Sequence, residues 1–481
     1  MPLNILQQSP LDLNPAQDEA LEVSPSQKWV PSRYTVRATT DDGRLIIWNT
    51  LNGAMSVFKP EQTAAVKELL RRPGTEGNFE GMLKYLVDRG FMIKEGTNEY
   101  RKIQLAFGQQ HYRNDVMQLI LLASEDCNFR CTYCYEDFAR GTMQPGVRVG
   151  IKKLVEKRIK TLRQLDINWF GGEPLYGFQA IEELAPFFIK ICEENSVKFR
   201  SNMTTNAYLL TPEVAEKLLA WQVNRFQITL DGRPEDHDCS RPTRDGRGSF
   251  WTIIENLKAL SRRPEDYEVV LRVNFDRKNH PHMTDFMDII KRELGDDPRF
   301  QMRFHGVGRW GGENDEQLDV CGPDEAAQIR YDLKKEARKR GIGIGRGLKD
   351  VSGFGSDACY AARPFNFIVG ASGKLMKCTV ALDKDDSNVV GRLTEQGDLE
   401  IDRDKLALWT EPAFESDSKC KKCVVLPACQ GLHCPLVRME EHRSPCSPVR
   451  LNLKQALRET SELLETGRKV PLKLEVSAAA S

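Results

Sequence analysis

Residues 116–134 read VMQLILLASEDCNFRCTYC, a strand-like run that opens directly onto three cysteines, Cys127, Cys131 and Cys134. Downstream the alternation of strand and helix continues. Helical GIKKLVEKRIKTLR follows the first run, DINWFGG precedes AIEELAPFFIKICEEN, and KFRSNMTTN precedes PEVAEKLLAWQ. RFQITLDG then leads to FWTIIENLKALSRR, EVVLRVNFD to MTDFMDIIKREL, and FQMRFHGV to PDEAAQIRYDLKKEARKRG. Apolar runs of strand length between stretches of helical period predict an α/β fold. Six strand-helix units within residues 111–345 then argue for a parallel sheet or barrel. Ligands of such folds gather at the carboxyl ends of the strands. The cysteines sit at the first of those ends.

Working outward towards the N-terminus, YTVRAT, a DDG turn, RLIIWN, an Asn52-Gly53 turn and AMSVF read as three antiparallel strands. Two helical stretches, PEQTAAVKELLRR and FEGMLKYLVDRG, and a short strand FMIKEG follow. A module of this order, within residues 33–110, is similar to a winged helix. Residues 1–32 contain Pro, Ser, Gln and Asn with little apolar periodicity and are expected to be a flexible leader. In the other direction the alternation stops after about residue 345. Glycines, prolines and cysteines dominate residues 346–450, with brief strands such as FNFIVG and KLMKC, and this domain is expected to need metal to hold its shape. A last helix over about residues 449–465 and a polar tail place residues 451–481 outside it.

The chain has 481 residues, enough for two or three domains. Hydrophobic residues make up 40% and charged ones 29%, with 69 basic against 69 acidic side chains, a balance that gives no overall basic field for nucleic acid or anionic lipid. No apolar run reaches the length of a membrane span, and the first residues lack the basic and apolar regions of a secretory signal. The expectation is a cytoplasmic protein with no nucleic-acid or membrane partner. Thirteen cysteines are unusual there, because reduced cytosolic thiols serve metals or catalysis more often than disulfides. Seven fall between Cys359 and Cys446, while Cys192, Cys239 and Cys321 stand alone. Cys192, on an apolar helical face, and Cys239 are not expected to be ligands.

Three thiolates as close as Cys127, Cys131 and Cys134 can hold three irons of a four-iron four-sulfur cluster and leave the fourth iron open. A zinc site lacking one ligand, or unrelated buried thiols, would give the same pattern. With Tyr133 before the last cysteine, the C-x3-C-x2-C loop resembles the cluster-binding loop of the radical S-adenosylmethionine superfamily. The resemblance covers about residues 116–450 and implies a partial (β/α)6 TIM-like barrel. It also implies that the open iron binds S-adenosylmethionine, whose cleavage gives a 5′-deoxyadenosyl radical able to remove an unactivated hydrogen. The WFGGEP turn, with Gly171, Gly172, Glu173 and Pro174, is similar to the family's methionine-amino-binding turn, where glycine lets main chain approach a ligand. An ordinary strand-to-helix turn would look alike. Tyr133, Thr205 and Asn206 of TTNA, and Thr229 and Asp231 of QITLDG, resemble further cofactor contacts. HDCSRPTRDGRGSF is similar to the HD-x2-R and G-x-G-x-F stretch of the same enzymes, which implies that Arg241 pairs with the cofactor carboxylate.

Cys359-x13-Gly373-x4-Cys378, Cys420-x2-Cys423-x5-Cys429, Cys434 and Cys446 resemble the SPASM extension, which carries two auxiliary iron-sulfur clusters in peptide-modifying radical enzymes. That resemblance implies Cys359, Cys378 and Cys434 at the first auxiliary cluster, and Cys420, Cys423, Cys429 and Cys446 at the second, for three 4Fe-4S clusters in all. Cys321 is one candidate to complete the first. The chain departs from the family in placing four residues, rather than three, between Cys429 and Cys434, so the loop bulges or His433 competes as a ligand. Two zinc ribbons are the alternative for this region. The N-terminal module either packs against the barrel or captures a precursor leader along a sheet edge, AMSVF. The second case implies a maturase that installs a thioether or carbon-carbon cross-link in a ribosomally made peptide, fed by a one-electron reductant such as flavodoxin or ferredoxin. A sulfatase-type maturase forming formylglycine and a non-enzymatic iron-sulfur electron carrier are the alternatives. WFGGEP and TTNA count against the carrier, which needs no nucleoside pocket.

Overall fold

A computed structural model of the chain describes residues 27–71, 81–138, 140–344, 354–382 and 385–458. Most of the expected leader, the start of the cysteine-rich segment and the tail therefore lie outside the described residues. The chain divides into two compact units, one formed by Met1–Arg113, Arg346–Pro364 and Leu408–Ser481, the other by Asn114–Gly345 and Phe365–Ala407.

In the first unit the described chain runs through β1 (Trp29–Pro31), β2 (Thr35–Thr39), β3 (Leu45–Asn49), β4 (Met55–Phe58), α1 (Pro60–Leu69), α2 (Gly81–Asp88), β5 (Met92–Lys94) and α3 (Glu99–His111). Strands β2, β3 and β4 form an antiparallel sheet in that order, and β1 pairs antiparallel with β5. Gly43 and Gly53 take positive φ, +86° and +77°, in the two turns of the sheet, where a side chain would be strained. All five residues of β3 are buried, which an antiparallel strand wet on one face would not allow. Both faces of this sheet are in fact covered. Leu45 and Ile47 pack with Phe58, Val66, Leu86 and Phe91, whereas Ile46 and Trp48 pack with Val36, Met55, Val425 and Leu457. The second cover thus comes from the far end of the chain. A third cluster joins Tyr34, Leu51, Ile103 and Phe107 to Ala362, Phe414, Leu426 and Leu432, with Cys359, Cys420 and Cys423 packed against it. The N-terminal module and the cysteine-bearing C-terminal segments share one core. Strand β1, at the edge of the expected leader, and α3, capped where the Asn98 side chain accepts the Arg101 N–H at 3.1 Å, are additions to the sequence reading.

The second unit runs β6 (Val116–Ser124), α4 (Pro145–Arg158), β7 (Gln164–Gly171), α5 (Phe178–Glu194), β8 (Lys198–Thr205), α6 (Pro212–Ala220), β9 (Val223–Thr229), α7 (Pro234–Ser240), α8 (Phe250–Ser261), β10 (Glu268–Phe275), α9 (Met283–Leu294), β11 (Phe300–Gly306), α10 (Pro323–Lys339) and β12 (Gly343–Ile344). It continues with β13 (Asn366–Val369), β14 (Lys374–Met376), β15 (Val389–Leu393) and β16 (Leu399–Ile401). The sheet order is β12-β11-β10-β9-β8-β7-β6-β13-β14-β15-β16. Strands β6 to β12 are parallel, β13 adds parallel to β6, and β14 to β16 extend the sheet as antiparallel strands. The six sequence-derived strands coincide with β6 to β11. Alternation within them separates two faces: Leu165, Ile167 and Trp169 of β7 are buried, while Asp166, Asn168 and Phe170, alternating with them, are partly exposed. Among the described residues no helix is long and apolar enough to cross a membrane.

Cys378 follows β14 and is fixed by one side chain. The fully buried Asn388 accepts the N–H groups of Lys377 and Cys378 at 3.0 and 2.8 Å, and donates to the carbonyls of Cys378 and Ala381, both at 2.8 Å. Removing it deletes four buried hydrogen bonds at once. Asn388→Ala is therefore expected to lower unfolding stability by roughly 2–4 kcal/mol, read as a shift in the denaturant midpoint. A loss below about 0.5 kcal/mol would mean that water replaces the amide.

Candidate active site at the carboxyl ends of the strands

The loop after β6 carries Cys127, Cys131 and Cys134 and is laced to the segment after α7 by main-chain bonds. Arg130 N donates to the Pro242 carbonyl at 2.9 Å, Thr132 N to that of Ser240 at 2.9 Å, and Arg244 N to that of Asn128 at 2.7 Å. On its other side the loop meets the WFGGEP turn at very close range. A Cβ on Gly171, whose φ is +122°, would lie 1.9 Å from the Ser124 carbonyl oxygen, and one on Gly172 would lie 2.7 Å from that of Asp126. The space these glycines free is thus filled by the cysteine loop itself. Gly172 also approaches Cys127, whose Cβ would be 3.1 Å from an added methyl.

Glu173 is fully buried and engaged on three sides. Its carboxylate accepts the Thr205 hydroxyl at 2.7 Å, the Asn206 N–H at 2.7 Å and the Leu175 N–H at 3.0 Å. Burial raises its pKa, opposed by these donors. Glu173 and Thr205 thus spend their side chains on each other, tying the end of β7 to the end of β8. Pro174 starts the short helix Pro174–Gly177 behind the turn. The amide of Asn206 instead turns to the loop, donating to the Asn128 side-chain oxygen at 2.7 Å and lying 3.9 Å from Cys127 Sγ.

Tyr133 enters a second buried network. Its hydroxyl donates to the Asp231 carboxylate and accepts from Arg241 Nη1 at 2.8 Å and from Asn274 Nδ2 at 3.1 Å. Asp231 also accepts the Asn274 N–H at 2.9 Å. Thr229, buried at the end of β9, pairs in register with Arg272. Asn274 was absent from the sequence reading, although a polar side chain at a strand's carboxyl end was a usable signal. Desolvation raises Cys127 and Cys131 above the usual thiol range and pushes Cys134 up to about 12, while the nearby Arg241 guanidinium pulls all three the other way.

Among the described residues no three His, Cys, Asp or Glu side chains converge on a point suited to a single metal ion. A four-iron cluster takes each thiolate on a different iron, so it makes no such demand. The local chemistry fits one. Cys127 Sγ accepts the Phe129 N–H at 3.4 Å, the three thiols occupy one laced loop, and Arg241 stands beside Cys131 with its Nε buried and without a hydrogen-bond partner. In the first unit, burial and then neighbouring acidic groups, Asp417 for Cys420 and Asp357 for Cys429, push these thiols to about 11 and about 12, with Cys423 adding to both and Cys446 to Cys420. Cys359 and Cys434 belong to that unit and Cys378 to the other. His433 is held below its usual pKa by burial, opposed by Asp357. Cys321 lies beside Arg277, Asp319 and Glu325, and Cys192 is buried in α5.

Residues 121–287 match the family model of the radical SAM superfamily, and the chain carries a radical SAM domain. That family implies a 4Fe-4S cluster and S-adenosylmethionine. The radical SAM cyclopropyl synthase TigE of Paramaledivibacter caminithermalis is 24% identical over 271 residues, 49% of this chain and 55% of that protein. The cysteine-type anaerobic sulfatase-maturating enzyme of Clostridium novyi is 32% identical over 171 residues, 34% of this chain and 45% of that protein. The chain spans about half the length of these curated relatives. The solved structure of native anSMEcpe with bound AdoMet and Cp18Cys peptide shares the fold, with a TM-score of 0.56 at 18% identity, covering 74% of this chain and 99% of that one.

Because three donors converge on Glu173, Glu173→Ala should cost at least about 3 kcal/mol in denaturant unfolding. Glu173→Gln, which keeps an acceptor oxygen, should cost less than half as much. Equal small losses from both would show that the turn is held by its main chain alone.

Proposed function

We propose that this chain is a radical S-adenosylmethionine maturase of peptides, which abstracts a hydrogen from a ribosomally made precursor and installs a thioether or carbon-carbon cross-link. The observation that carries this reading is the shared core of the first unit. A small sheet-and-helix module is built into the same body as Cys359, Cys420, Cys423, Cys429 and Cys434, in a chain that also holds a radical SAM domain. In this reading the N-terminal module is the winged-helix-like recognition element. Strand β4, which pairs only with β3 among the described residues, offers an edge on which an extended leader can add main-chain hydrogen bonds.

Cys127, Cys131 and Cys134 would hold the cluster that activates S-adenosylmethionine, and the bound cofactor supplies a carbon radical. Asn206, Thr229, Asp231 and Arg241 line its site, while Gly171, Gly172, Glu173, Pro174 and Thr205 set the shape of the turn beside it. Tyr133 fixes Asp231 and Arg241 in place. Cys359, Cys378 and Cys434 would hold one auxiliary cluster and Cys420, Cys423, Cys429 and Cys446 the other, groups that would supply one-electron redox chemistry or an open iron for the acceptor thiolate. A flavodoxin- or ferredoxin-type donor supplies the reducing electron. The cytoplasm, where thiols stay reduced, suits all three clusters. Formylglycine formation on a protein is the second reading, favoured by the 32% identity to a sulfatase-maturating enzyme.

Tandem mass spectrometry of a precursor encoded beside this protein, after anaerobic co-expression, separates the two. Loss of two hydrogens with a stretch that resists fragmentation supports the cross-link. An unmodified precursor together with an aldehyde on a sulfatase would move the assignment to formylglycine. Cys131→Ala is expected to abolish cofactor cleavage, measured as 5′-deoxyadenosine release. Cys423→Ala should keep much of that cleavage and lose the modified peptide; equal product from it would make the second auxiliary cluster dispensable.

A further inference from the structure

The HDCSRPTRDGRGSF stretch contributes more than Arg241. His237 and Ser249 are both completely buried. His237 Nδ1 accepts the main-chain N–H of Asp231 at 3.2 Å, which places the ring proton on Nε2. Nε2 lies 3.0 Å from Ser249 Oγ and donates to it, and the Ser249 hydroxyl donates in turn to the Arg241 carbonyl at 3.1 Å. Arg241 Nη1 donates to Tyr133, and Tyr133 donates to the Asp231 carboxylate. The bonds close a ring. It runs from the Asp231 main chain through His237 and Ser249 to the Arg241 main chain, then back through the guanidinium and Tyr133 to the Asp231 side chain.

Asp238 locks the ring from outside. Its Oδ1 accepts the N–H groups of Ser249 and Phe250 at 2.7 and 2.9 Å, at the start of α8, and a Cβ on Gly248 would fall 2.3 Å from its Oδ2. The histidine, aspartate, glycine and serine of this stretch therefore fix the backbone of one arginine, while Tyr133 holds its head. Arg241 is only 7% exposed, stacks its guanidinium 5.6 Å from the centre of the Phe129 ring, and leaves Nε without a hydrogen-bond partner. A buried cation with an idle N–H, held this rigidly beside the cysteine loop, is preorganised for an anionic ligand.

We propose that His237 and Ser249 are positioning residues, which hold Arg241 to receive the carboxylate of S-adenosylmethionine. The proposal rests on the functional reading above, in which Arg241 meets that carboxylate. Its effect is specific to one group of the cofactor, whereas a merely structural role would weaken every ligand of the site alike.

The test titrates the reconstituted holoenzyme, its Ser249→Ala variant and its His237→Gln variant with two probes. One is S-adenosylmethionine, and the other is decarboxylated S-adenosylmethionine, which keeps the amino group and lacks only the carboxylate. In both variants Kd for S-adenosylmethionine is expected to rise about tenfold, while Kd for the decarboxylated probe changes less than about twofold. Iron content per chain should stay at the parent value. Equal weakening of both probes, or an unchanged Kd for S-adenosylmethionine, overturns the proposal. Arg241→Gln locates the failure. If it alone weakens S-adenosylmethionine selectively, Arg241 binds the carboxylate without help from His237 and Ser249. If it too fails to discriminate, the assignment of Arg241 falls, and the positioning role falls with it.

Discussion

A carboxylate sealed from solvent, that of Glu173, holds together the parts on which the site depends. Isolated in a low-dielectric interior, such a charge would be strongly unfavourable. Three donors converge on it, from Thr205, Asn206 and Leu175, so the ends of β7 and β8 keep one fixed relation. The glycines before it then allow the turn to press against the carbonyls of Ser124 and Asp126. In this way an interaction between two strand ends also sets where the cysteine loop lies.

The opposite flank of that loop is held by a different device. Tyr133 gathers Asp231, Arg241 and Asn274 around one hydroxyl, and main-chain bonds lace residues 128–132 to residues 240–244. The loop is clamped from both sides, leaving the thiols little freedom to splay. Their burial disfavours the thiolate, and Arg241 is the cation that opposes this. The Asp231 carboxylate, bridged to it by Tyr133, is the anion that accompanies the buried guanidinium.

The first unit follows from burial. Strand β3 carries Leu45, Ile46, Ile47 and Trp48 in succession, and a three-stranded sheet with that strand at its centre cannot leave either face wet. Helices α1 and α2 cover one face, and Val425 and Leu457 reach the other. Chain segments more than three hundred residues apart thereby become one folding unit, with Cys423 packed against the cluster of Ile46, Trp48 and Val425, and Cys420 against that of Phe107 and Phe414. Removing the N-terminal module would uncover that surface, so the module also supports the cysteine segment.

Periodicity made β6 to β11 and their helices legible, because strand and helix patterns arise among near neighbours in sequence. The cysteine spacings and the WFGGEP turn marked the site for the same reason. Strand β1, three residues ending in proline, is too short to announce itself; β13 and β14 are legible as the brief strands FNFIVG and KLMKC, but their place beside β6 and the added β15 and β16 are not. The unbroken apolar run of β3 hinted at a two-sided burial without naming the second partner. By itself, then, the sequence determined the α/β alternation, the two cysteine groups and the residues at the strand ends. Only the tertiary structure decided that Glu173 braces rather than faces outward, that Gly171 and Gly172 make room for the cysteine loop, and that His237 and Ser249 reach Arg241. The reason is physical: these are hydrogen bonds and contacts between separate segments, such as Tyr133 with Arg241 across 108 positions, and no local pattern encodes which buried donor will meet which acceptor.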